Sequence, residues 1–277
     1  MRDDFAVFIT THERADRQTT LDWFLGHGYS GKWFLVIDDG DKEQAEYIEK
    51  YNSHVLLFNK LKYWEELDTF NNRKHLAAVL YARQAVEDFA MEMQLKTFLV
   101  CDDDISCFVA RYPGEDNKMK RSKKVNADRM IEAYLKYLVN ANMASLNPGT
   151  QNLYLTGADK LQYKLIRKGS NAFFRSVDFK IKWISAMNED LITCIEYNKR
   201  GVLMCTALPI CAECPKAGTG SIKGGMHEIY ADMGEYERAF YAVIEDPSRC
   251  FVKMNTTKKG PKLLIARKWA GGGSRKL

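Results

Sequence analysis

Apolar runs of strand length alternate with segments of helical spacing through the first 105 residues. Short runs rich in β-branched and aromatic residues are typical of buried strands, and apolar residues three and four positions apart are typical of helices. Strands and helices that alternate through short links indicate a parallel sheet with helices on its faces. The predicted strands are 5–11, 33–37, 55–58 and 97–101, and the predicted helices are 19–25, 43–51 and 76–93.

The rest of the chain has a less regular pattern. A Pro-Gly pair and a basic run predict a break over 111–124, and residues 217–225 form a glycine-rich loop. Three short strands with antiparallel pairing are expected between residues 150 and 185, at 153–155, 160–166 and 172–175. The other predicted elements are helices over 126–142, 191–197 and 227–243 and strands over 201–205 and 263–265.

Acidic residues follow two of the predicted strands directly. Asp38, Asp39 and Asp41 come after strand 33–37, and Asp102-Asp103-Asp104 comes after strand 97–101. Unpaired buried charges are very costly, so these acids belong at the strand ends. The carboxyl ends of parallel strands share one edge, where open α/β sheets bind ligands. The triplet is either a Mg²⁺ or Mn²⁺ site that holds a diphosphate, or an acidic turn.

Composition narrows the class of protein. The chain has 277 residues, 46% hydrophobic, with a formal net charge of +5. No run of about 18 apolar residues is present, so no membrane span is predicted. Seven cysteines and no signal-like N-terminus predict reduced thiols and a cytoplasmic location. Cys211 and Cys214 form a lone C-x-x-C, which is either structural or, with Cys205 and His227, a zinc site.

Four segments resemble family-two glycosyltransferases of the GT-A type. Val36–Asp41 is similar to their V-D-D-G-S/D turn, and Ile9–Arg14 lies where their first strand meets the nucleotide. Asp102–Asp104 matches their Asp-x-Asp metal motif. Asn188–Asp190 resembles their E-D motif at a helix start. These motifs occur in the family's order within residues 5–195.

The resemblance implies an α/β fold with a GT-A-type mixed, mostly parallel sheet flanked by helices. The chain would be a single domain over 1–277. Residues 1–110 would form a Rossmann-like nucleotide-sugar-binding half and residues 111–270 an acceptor-binding half, followed by a flexible tail over 271–277.

The resemblance also implies a metal-dependent sugar transfer from a UDP-sugar, with Mn²⁺ or Mg²⁺ as cofactor. Asp190 is the candidate base if the reaction inverts, with Glu189 second, although acids in a first helical turn also stabilise a helix. His227, after the glycine-rich loop, is either a further ligand or a surface histidine. The candidate metal ligands are Asp102, Asp104 and His227. The candidate nucleotide-sugar contacts are Thr10, Thr11, Arg14, Asp38, Asp39, Arg73, Asp102, Asp103 and Lys223.

The basic segments at 118–124 and 253–268 could contact the phosphate backbone of a nucleic acid. A run of charged residues is, however, more often an ordinary solvent-exposed surface. With the short length, they resemble phage glycosyltransferases that modify hydroxymethylated DNA bases, including a group associated with base-hydroxylating oxygenases. The expected acceptor is therefore 5-hydroxymethylcytosine in double-stranded DNA. A glycan, lipid or protein acceptor, a nucleotidyltransferase and a nucleotide-sugar-binding module stay open, as do the sugar and the stereochemistry.

Overall fold

A computed structural model describes residues 1–70, 74, 76–116, 118–154, 169–214, 227–248, 250–257 and 260–267. The helices are α1 (Thr19–Gly26), α2 (Gln44–Tyr51), α3 (Lys60–Glu66), α4 (Leu80–Glu92), α5 (Ala127–Asn140), α6 (Glu189–Lys199) and α7 (His227–Glu245). The strands are β1 (Phe5–Thr10), β2 (Lys32–Asp38), β3 (Val55–Phe58), β4 (Thr97–Asp102), β5 (Cys107–Pro113), β6 (Met119–Ser122), β7 (Ser145–Thr150), β8 (Ala172–Ser176), β9 (Met204–Glu213), β10 (Cys250–Thr257) and β11 (Gly260–Arg267).

Nine strands form one sheet in the order β3-β2-β1-β4-β8-β7-β9-β5-β6. The neighbours β3-β2, β2-β1 and β1-β4 are parallel, as the alternation of strands and helices predicts. Beyond β4 the sheet is mixed, because β8 runs antiparallel to both β4 and β7 while β7 and β9 are parallel. The predicted class, a mixed α/β sheet flanked by helices, is confirmed, although only the strands from β3 to β4 form a continuous parallel run.

Several elements differ from the sequence prediction. The predicted break over 111–124 contains the antiparallel hairpin of β5 and β6, whose charged residues hide its strand character. Strand β7 was not predicted from the sequence, because Pro148 and Gly149 lie inside it. A shift in register between these two residues accommodates them. The predicted strand at 153–155 is in part a 3₁₀ turn, Gln151–Tyr154, and the segment 160–166 lies outside the described residues.

The sheet separates two apolar layers, and β1 contributes to both. Phe5, Val7 and Ile9 pack with α1 and α5 on one face, and Ala6 and Phe8 pack with α4 on the other. Side chains alternate between the faces of a strand, so a strand buried on both sides reads as a continuous apolar run. That run fixes β1 at the centre and brings the ends of β1, β2 and β4 to one edge.

A buried ion pair ties β8 to α4 beneath this sheet. The Arg175 side chain is fully buried and donates to Glu87 Oε1 at 2.9 Å and to Glu87 Oε2 at 3.2 Å. The same guanidinium donates to the Ala144 carbonyl oxygen, and Trp183 Nε1 donates to Glu87 Oε1 at 3.2 Å. These contacts satisfy both charges, so losing either partner would leave the other one unpaired in the core.

None of the helices in the described ranges combines the length and apolar character needed to cross a bilayer.

We expect Glu87→Ala to lower the free energy of unfolding by about 3–5 kcal/mol, because it leaves the Arg175 charge unpaired and buried. Urea denaturation followed by circular dichroism measures this change. Glu92→Ala, at an exposed position on the same helix, serves as the control and should change the stability by less than about 0.5 kcal/mol. An equal loss in both variants would show that the ion pair is not responsible.

Candidate functional site

A cavity of about 230 Å³ opens at the edge where β1, β2 and β4 end. Both groups of acids that the sequence analysis singled out contribute to it. The cavity is lined by Thr10, Thr11, His12, Arg14, Asp38, Phe58, Lys60, Leu76, Ala77, Ala78, Val79, Ala82, Asp102, Asp103 and Asp104. The parallel pairing of β2, β1 and β4 is what places Asp38 and the acidic triplet in one site.

The start of α1 holds the acidic turn in place. Thr20 Oγ1 donates to the Asp102 carbonyl oxygen at 2.7 Å and accepts from the Ile105 backbone N–H at 2.9 Å. The Thr20 backbone N–H donates to the Asp103 carbonyl oxygen at 3.1 Å. The turn is therefore fixed through its backbone, and its three carboxylates are directed by their own partners.

Asp103 pairs with residues of the loop that follows β1. Its carboxylate accepts from Thr11 Oγ1 at 2.7 Å and from Arg14 Nη1 at 2.5 Å. Burial raises the pKa of Asp103, and the Arg14 charge opposes that rise. Arg14 and Asp103 already neutralise each other, so a ligand that contacts either residue must compete with this ion pair.

Arg83 on α4 connects the acidic turn to the start of α6. Its Nη2 donates to Asp102 Oδ1 at 3.1 Å, its Nη1 donates to Glu189 Oε1, and its side chain is only 4% exposed. Asn171 Nδ2 donates to the other oxygen of Asp102 at 3.1 Å. Burial raises the pKa of Asp102 to about 6 and that of Glu189 to about 7, although Arg83 lowers both. One guanidinium thus serves two carboxylates.

Asp104 is the acid of the triplet with an unsatisfied oxygen. Burial and the charge of Asp103 raise its pKa, and the Cys214 thiol hydrogen-bonds its carboxylate. Its Oδ1 is buried and has no hydrogen-bond partner among the described residues. A buried acceptor of this kind is costly unless a donor or a cation meets it. Asp104, with Asp102 beside it, therefore fits a hard divalent cation that prefers oxygen ligands.

A second charged cluster lies where β2 ends. His12 Nδ1 is 2.9 Å from Asp38 Oδ2 and 3.4 Å from Asp41 Oδ2, and Lys60 Nζ is 2.9 Å from Asp38 Oδ1. The nearby carboxylates of Asp38 and Asp41 raise the pKa of His12 to about 9. Ligand atoms of His12, Asp38 and Asp41 lie within 4.8 Å of one another, a spacing that suits a metal. A protonated His12 and Lys60 already supply the positive charge there, so the cluster fits a metal poorly at neutral pH.

The structure does not bring every predicted residue to the cavity. Asp39 is exposed and accepts from the Lys60 backbone N–H at 3.2 Å. Asp190 lies in the first turn of α6, where its Oδ1 accepts from the Leu191 backbone N–H at 2.7 Å. Arg73, Lys223 and the side chain of His227 lie outside the described residues.

The zinc alternative at Cys211 and Cys214 finds no support in the described part of the chain. Cys211 packs in a small apolar cluster with Val109, and Cys205 lies in the main core. The candidate metal group detected among the described residues contains no cysteine, and both thiols have a raised pKa because they are buried. In the described residues Cys211 packs in an apolar cluster and Cys214 hydrogen-bonds Asp104, and the zinc alternative stays a prediction.

The sequence analysis missed Arg83, His12 and Lys60. A signal for Arg83 was present, because Arg83 and Glu87 are four residues apart on the buried face of α4, among Leu80 and Val86. Charges on an apolar helical face need buried partners. His12 and Lys60 gave no comparable signal, because His12 lies in a polar loop, Lys60 begins α3, and the partner of each is distant in sequence.

Residues 5–213 match the family model described as TET-Associated Glycosyltransferase. No curated protein sequence matches the chain. Two solved structures that resemble it are glucosyl-3-phosphoglycerate synthase from Mycobacterium tuberculosis in complex with Mg²⁺ and UDP, and mannosyl-3-phosphoglycerate synthase from Rubrobacter xylanophilus. Each is 9% identical with a TM-score of 0.47 over 95% of this chain, and the match covers 87% and 84% of those chains.

We expect His12 to titrate with a midpoint near pH 9 instead of its ordinary 6.5, because Asp38 and Asp41 stabilise its charged form. The stabilisation from this pairing is complete below pH 6.5 and is lost as the pH rises through 9. An NMR titration of the imidazole, assigned with His12→Gln, measures the midpoint. Asp38→Asn should move the midpoint back toward 6.5, and an unchanged midpoint would contradict the assigned pairing.

Proposed function

Because the chain belongs to the TET-associated glycosyltransferase family, we propose that it transfers a sugar from a UDP-sugar to 5-hydroxymethylcytosine in double-stranded DNA. The observation that carries this proposal is the single cavity that collects Asp38 and Asp102–Asp104 at the ends of β2 and β4. An elongated, negatively charged donor needs such a site, with one end suited to a metal-bound diphosphate and the other suited to a nucleoside.

Asp104 and Asp102 are the proposed ligands of a Mn²⁺ or Mg²⁺ ion, with His227, the first residue of α7, as a proposed third ligand. The unsatisfied buried oxygen of Asp104 makes it the principal ligand, since both oxygens of Asp102 already accept hydrogen bonds. The ion would neutralise the diphosphate that departs from the sugar. Arg83 keeps Asp102 oriented toward that position.

The loop after β1 is proposed to hold the nucleotide. Thr10, Thr11, Arg14 and Asp103 all line the cavity, and Asp103 is the proposed contact to the ribose. Lys223 and Arg73 remain proposed phosphate contacts, and Asp39 a proposed contact at the rim. Because Arg14 is paired with Asp103 through Nη1, its Nη2 is the group through which it would reach a phosphate.

Asp190 is proposed as the general base that accepts the proton of the attacking hydroxyl. A primary alcohol is a weak nucleophile, and a carboxylate that receives its proton in the transition state contributes about 10²–10⁴-fold. Glu189 is the weaker candidate because its Oε1 is held by Arg83 inside the protein. Asn188, with φ 53° and ψ 33°, directs the chain into this helix start.

The hairpin of β5 and β6 is the proposed contact to the DNA backbone. It forms the edge of the sheet and carries the exposed side chains of Lys118 and Lys120, and the exposed Lys123 and Lys124 follow it directly. Asp116 pairs with Lys118 and Lys120, whereas the described contacts include no acidic partner for Lys123 or Lys124. Lysines on an edge strand also prevent edge-to-edge aggregation, so salt dependence of DNA binding is the property that separates the two roles.

On this proposal residues 1–110 bind the donor and residues 111–270 bind the acceptor within one domain. Cys214, which follows β9, hydrogen-bonds Asp104, and this contact supports placing the acceptor-binding part beside the acidic turn.

The test incubates the protein with Mn²⁺, a panel of UDP-sugars and duplex DNA that contains 5-hydroxymethylcytosine. Nucleoside mass spectrometry should show a gain of one sugar residue per modified base. Asp190→Asn should lower kcat by about 10²–10⁴-fold without a matching change in KM for the donor. Glu189→Gln should lower kcat less than Asp190→Asn does.

Duplex DNA with 5-methylcytosine is the matched acceptor control, because it differs by the single hydroxyl group. Transfer to neither DNA, together with transfer to a glycan or protein hydroxyl, would contradict the proposed acceptor. Hydrolysis of no donor in any combination would contradict the transferase assignment of this site.

We expect Asp104→Asn to abolish Mn²⁺ binding, which is measured from the electron paramagnetic resonance signal of free Mn²⁺. The Tm of the variant without metal should equal or exceed that of the wild-type protein. The substitution removes a buried carboxylate charge that repels Asp103. The folded protein therefore loses a metal-binding group without losing a stabilising ion pair, and its Tm does not fall. Transfer should fall by at least about 100-fold. Asp116→Asn, on the exposed hairpin, is the control, and Mn²⁺ affinity equal in both variants would refute the ligand assignment.

A further inference from the structure

Strands β10 and β11 form a two-stranded antiparallel sheet of their own, separate from the nine-stranded sheet. Eight residue pairs join them, from Cys250 opposite Arg267 to Thr257 opposite Gly260. We call this pair of strands the β10–β11 ribbon. At about 3.4 Å per residue it is roughly 25 Å long. A lone two-stranded sheet is only marginally stable, so the ribbon depends on the surface against which it packs.

The ribbon is anchored at its first residue, beside the start of α6. The Cys250 side chain is 2% exposed and packs with Leu191 and Ile195 of α6 and with Ala242 of α7. Leu191 directly follows Asp190, the proposed general base. The root of the ribbon therefore lies against the helical turn where the acceptor hydroxyl is proposed to react.

Side chains of β10 become exposed beyond this anchor. Phe251 is 37% exposed, Met254 is 69% exposed, and Lys253 is also exposed. The Lys253 Nζ lies 5.2 Å from the centre of the Phe251 ring, as expected for residues two apart, which share one face of a strand. Large apolar side chains and a cation thus lie close together on a surface that the described residues leave open to solvent.

The sequence of the ribbon carries charge of one sign. Residues 250–267 contain five basic residues and no acidic residue. This excess equals the formal net charge of the whole chain, which is +5. The basic residues are Lys253, Lys258, Lys259, Lys262 and Arg267. Positive charge concentrated in one element suits a polyanionic partner such as a nucleic acid backbone.

Duplex DNA has a surface that matches the ribbon in shape and charge. Its major groove is about 12 Å wide and admits a two-stranded β-ribbon. A substituent at C5 of a pyrimidine projects into this groove, as the methyl group of thymine does. An enzyme that acts on a 5-hydroxymethyl group in a duplex therefore meets it from the major-groove side. Lysines suit the phosphates along that groove, and apolar side chains suit the base edges.

We propose that the β10–β11 ribbon enters the major groove of the acceptor duplex, with Lys253 and Lys262 on its phosphates. The inference rests on the proposed function and adds a second DNA contact to the hairpin of β5 and β6. The register places Lys262 opposite Asn255, so positions 253, 255 and 262 share one face of the ribbon. The anchor at Cys250 keeps the occupied groove next to the start of α6.

Fluorescence anisotropy of a labelled duplex with 5-hydroxymethylcytosine measures this contact, without donor so that no transfer occurs. The variant Lys253→Ser/Lys262→Ser should bind roughly 10- to 100-fold more weakly than the wild-type protein at 100 mM salt, because two phosphate contacts are lost. The slope of log K against log salt concentration should become shallower by about 2. Lys253→Arg keeps the charge and should bind as the wild-type protein does.

Lys96→Ser/Lys180→Ser is the matched control, because it removes the same charge from two exposed positions. Lys96 precedes β4 and Lys180 follows the antiparallel β8, so both lie at the edge of the sheet opposite the cavity. This variant should keep the affinity and the salt slope of the wild-type protein. Circular dichroism and the Tm establish folding. If the ribbon variant does not fold, Lys253→Ser alone should still reduce the slope by about 1.

Dimethyl sulfate distinguishes the two grooves, because it methylates guanine N7 in the major groove and adenine N3 in the minor groove. The bound wild-type protein should protect guanine N7 near the modified base and leave adenine N3 reactive. The ribbon variant, at a concentration that saturates the duplex, should lose the protection of guanine N7.

Protection of adenine N3 instead of guanine N7 would overturn the inference. Equal affinity and salt slope in the ribbon variant and the wild-type protein, or an equal loss in the control variant, would also overturn it. Sugar transfer to the duplex alongside any of these results would leave the proposed function intact. Binding through the ribbon without transfer from any UDP-sugar would count against the proposed function alone. Absence of wild-type binding to the duplex at low salt would overturn both.

Discussion

Negative charge concentrated at one buried edge of a sheet is the constraint on which the structure depends. Asp102, Asp103 and Asp104 follow one another where β4 ends, and Asp38 lies two strands away at the same edge. Such carboxylates repel one another and lose hydration on burial, so each needs a cation or donors. Arg14 partners Asp103, Arg83 partners Asp102, and Lys60 with His12 partners Asp38. Asp104 keeps an oxygen with no such partner in the described structure.

This distribution sets Asp104 apart from the paired acids. The paired carboxylates fix the loop after β1, the start of α1 and the helix α4 around the cavity. Asp104 retains an acceptor that the described residues do not satisfy, which is the property expected of a metal ligand. On the proposed function, a divalent ion would meet this remaining oxygen.

Arg83 couples the two halves of the proposed reaction site. It lies against the rings of Phe173 and Trp183, which fix its orientation while its two ends contact Asp102 and Glu189. A rigid, planar guanidinium suits this bridge better than an ammonium would, because it donates in two fixed directions. The proposed metal ligand and the helix that carries Asp190 therefore share one positioning residue, so changes at either end are expected to be coupled.

The sequence by itself determined the first half of the sheet and the acids at its edge. The runs at Phe5–Thr10 and Thr97–Asp102 are apolar on both faces, which indicates central strands. The acids that follow such a strand must lie at the edge of the sheet where the strand ends. It did not reveal β7 or the edge hairpin, because Pro148 and the basic residues of β6 satisfy no strand pattern. Only the tertiary structure decided which cation each carboxylate receives. Arg83 and Asp102 are 19 positions apart and Arg83 and Glu189 are 106 apart, and such pairs are set by packing, which local residue patterns do not encode.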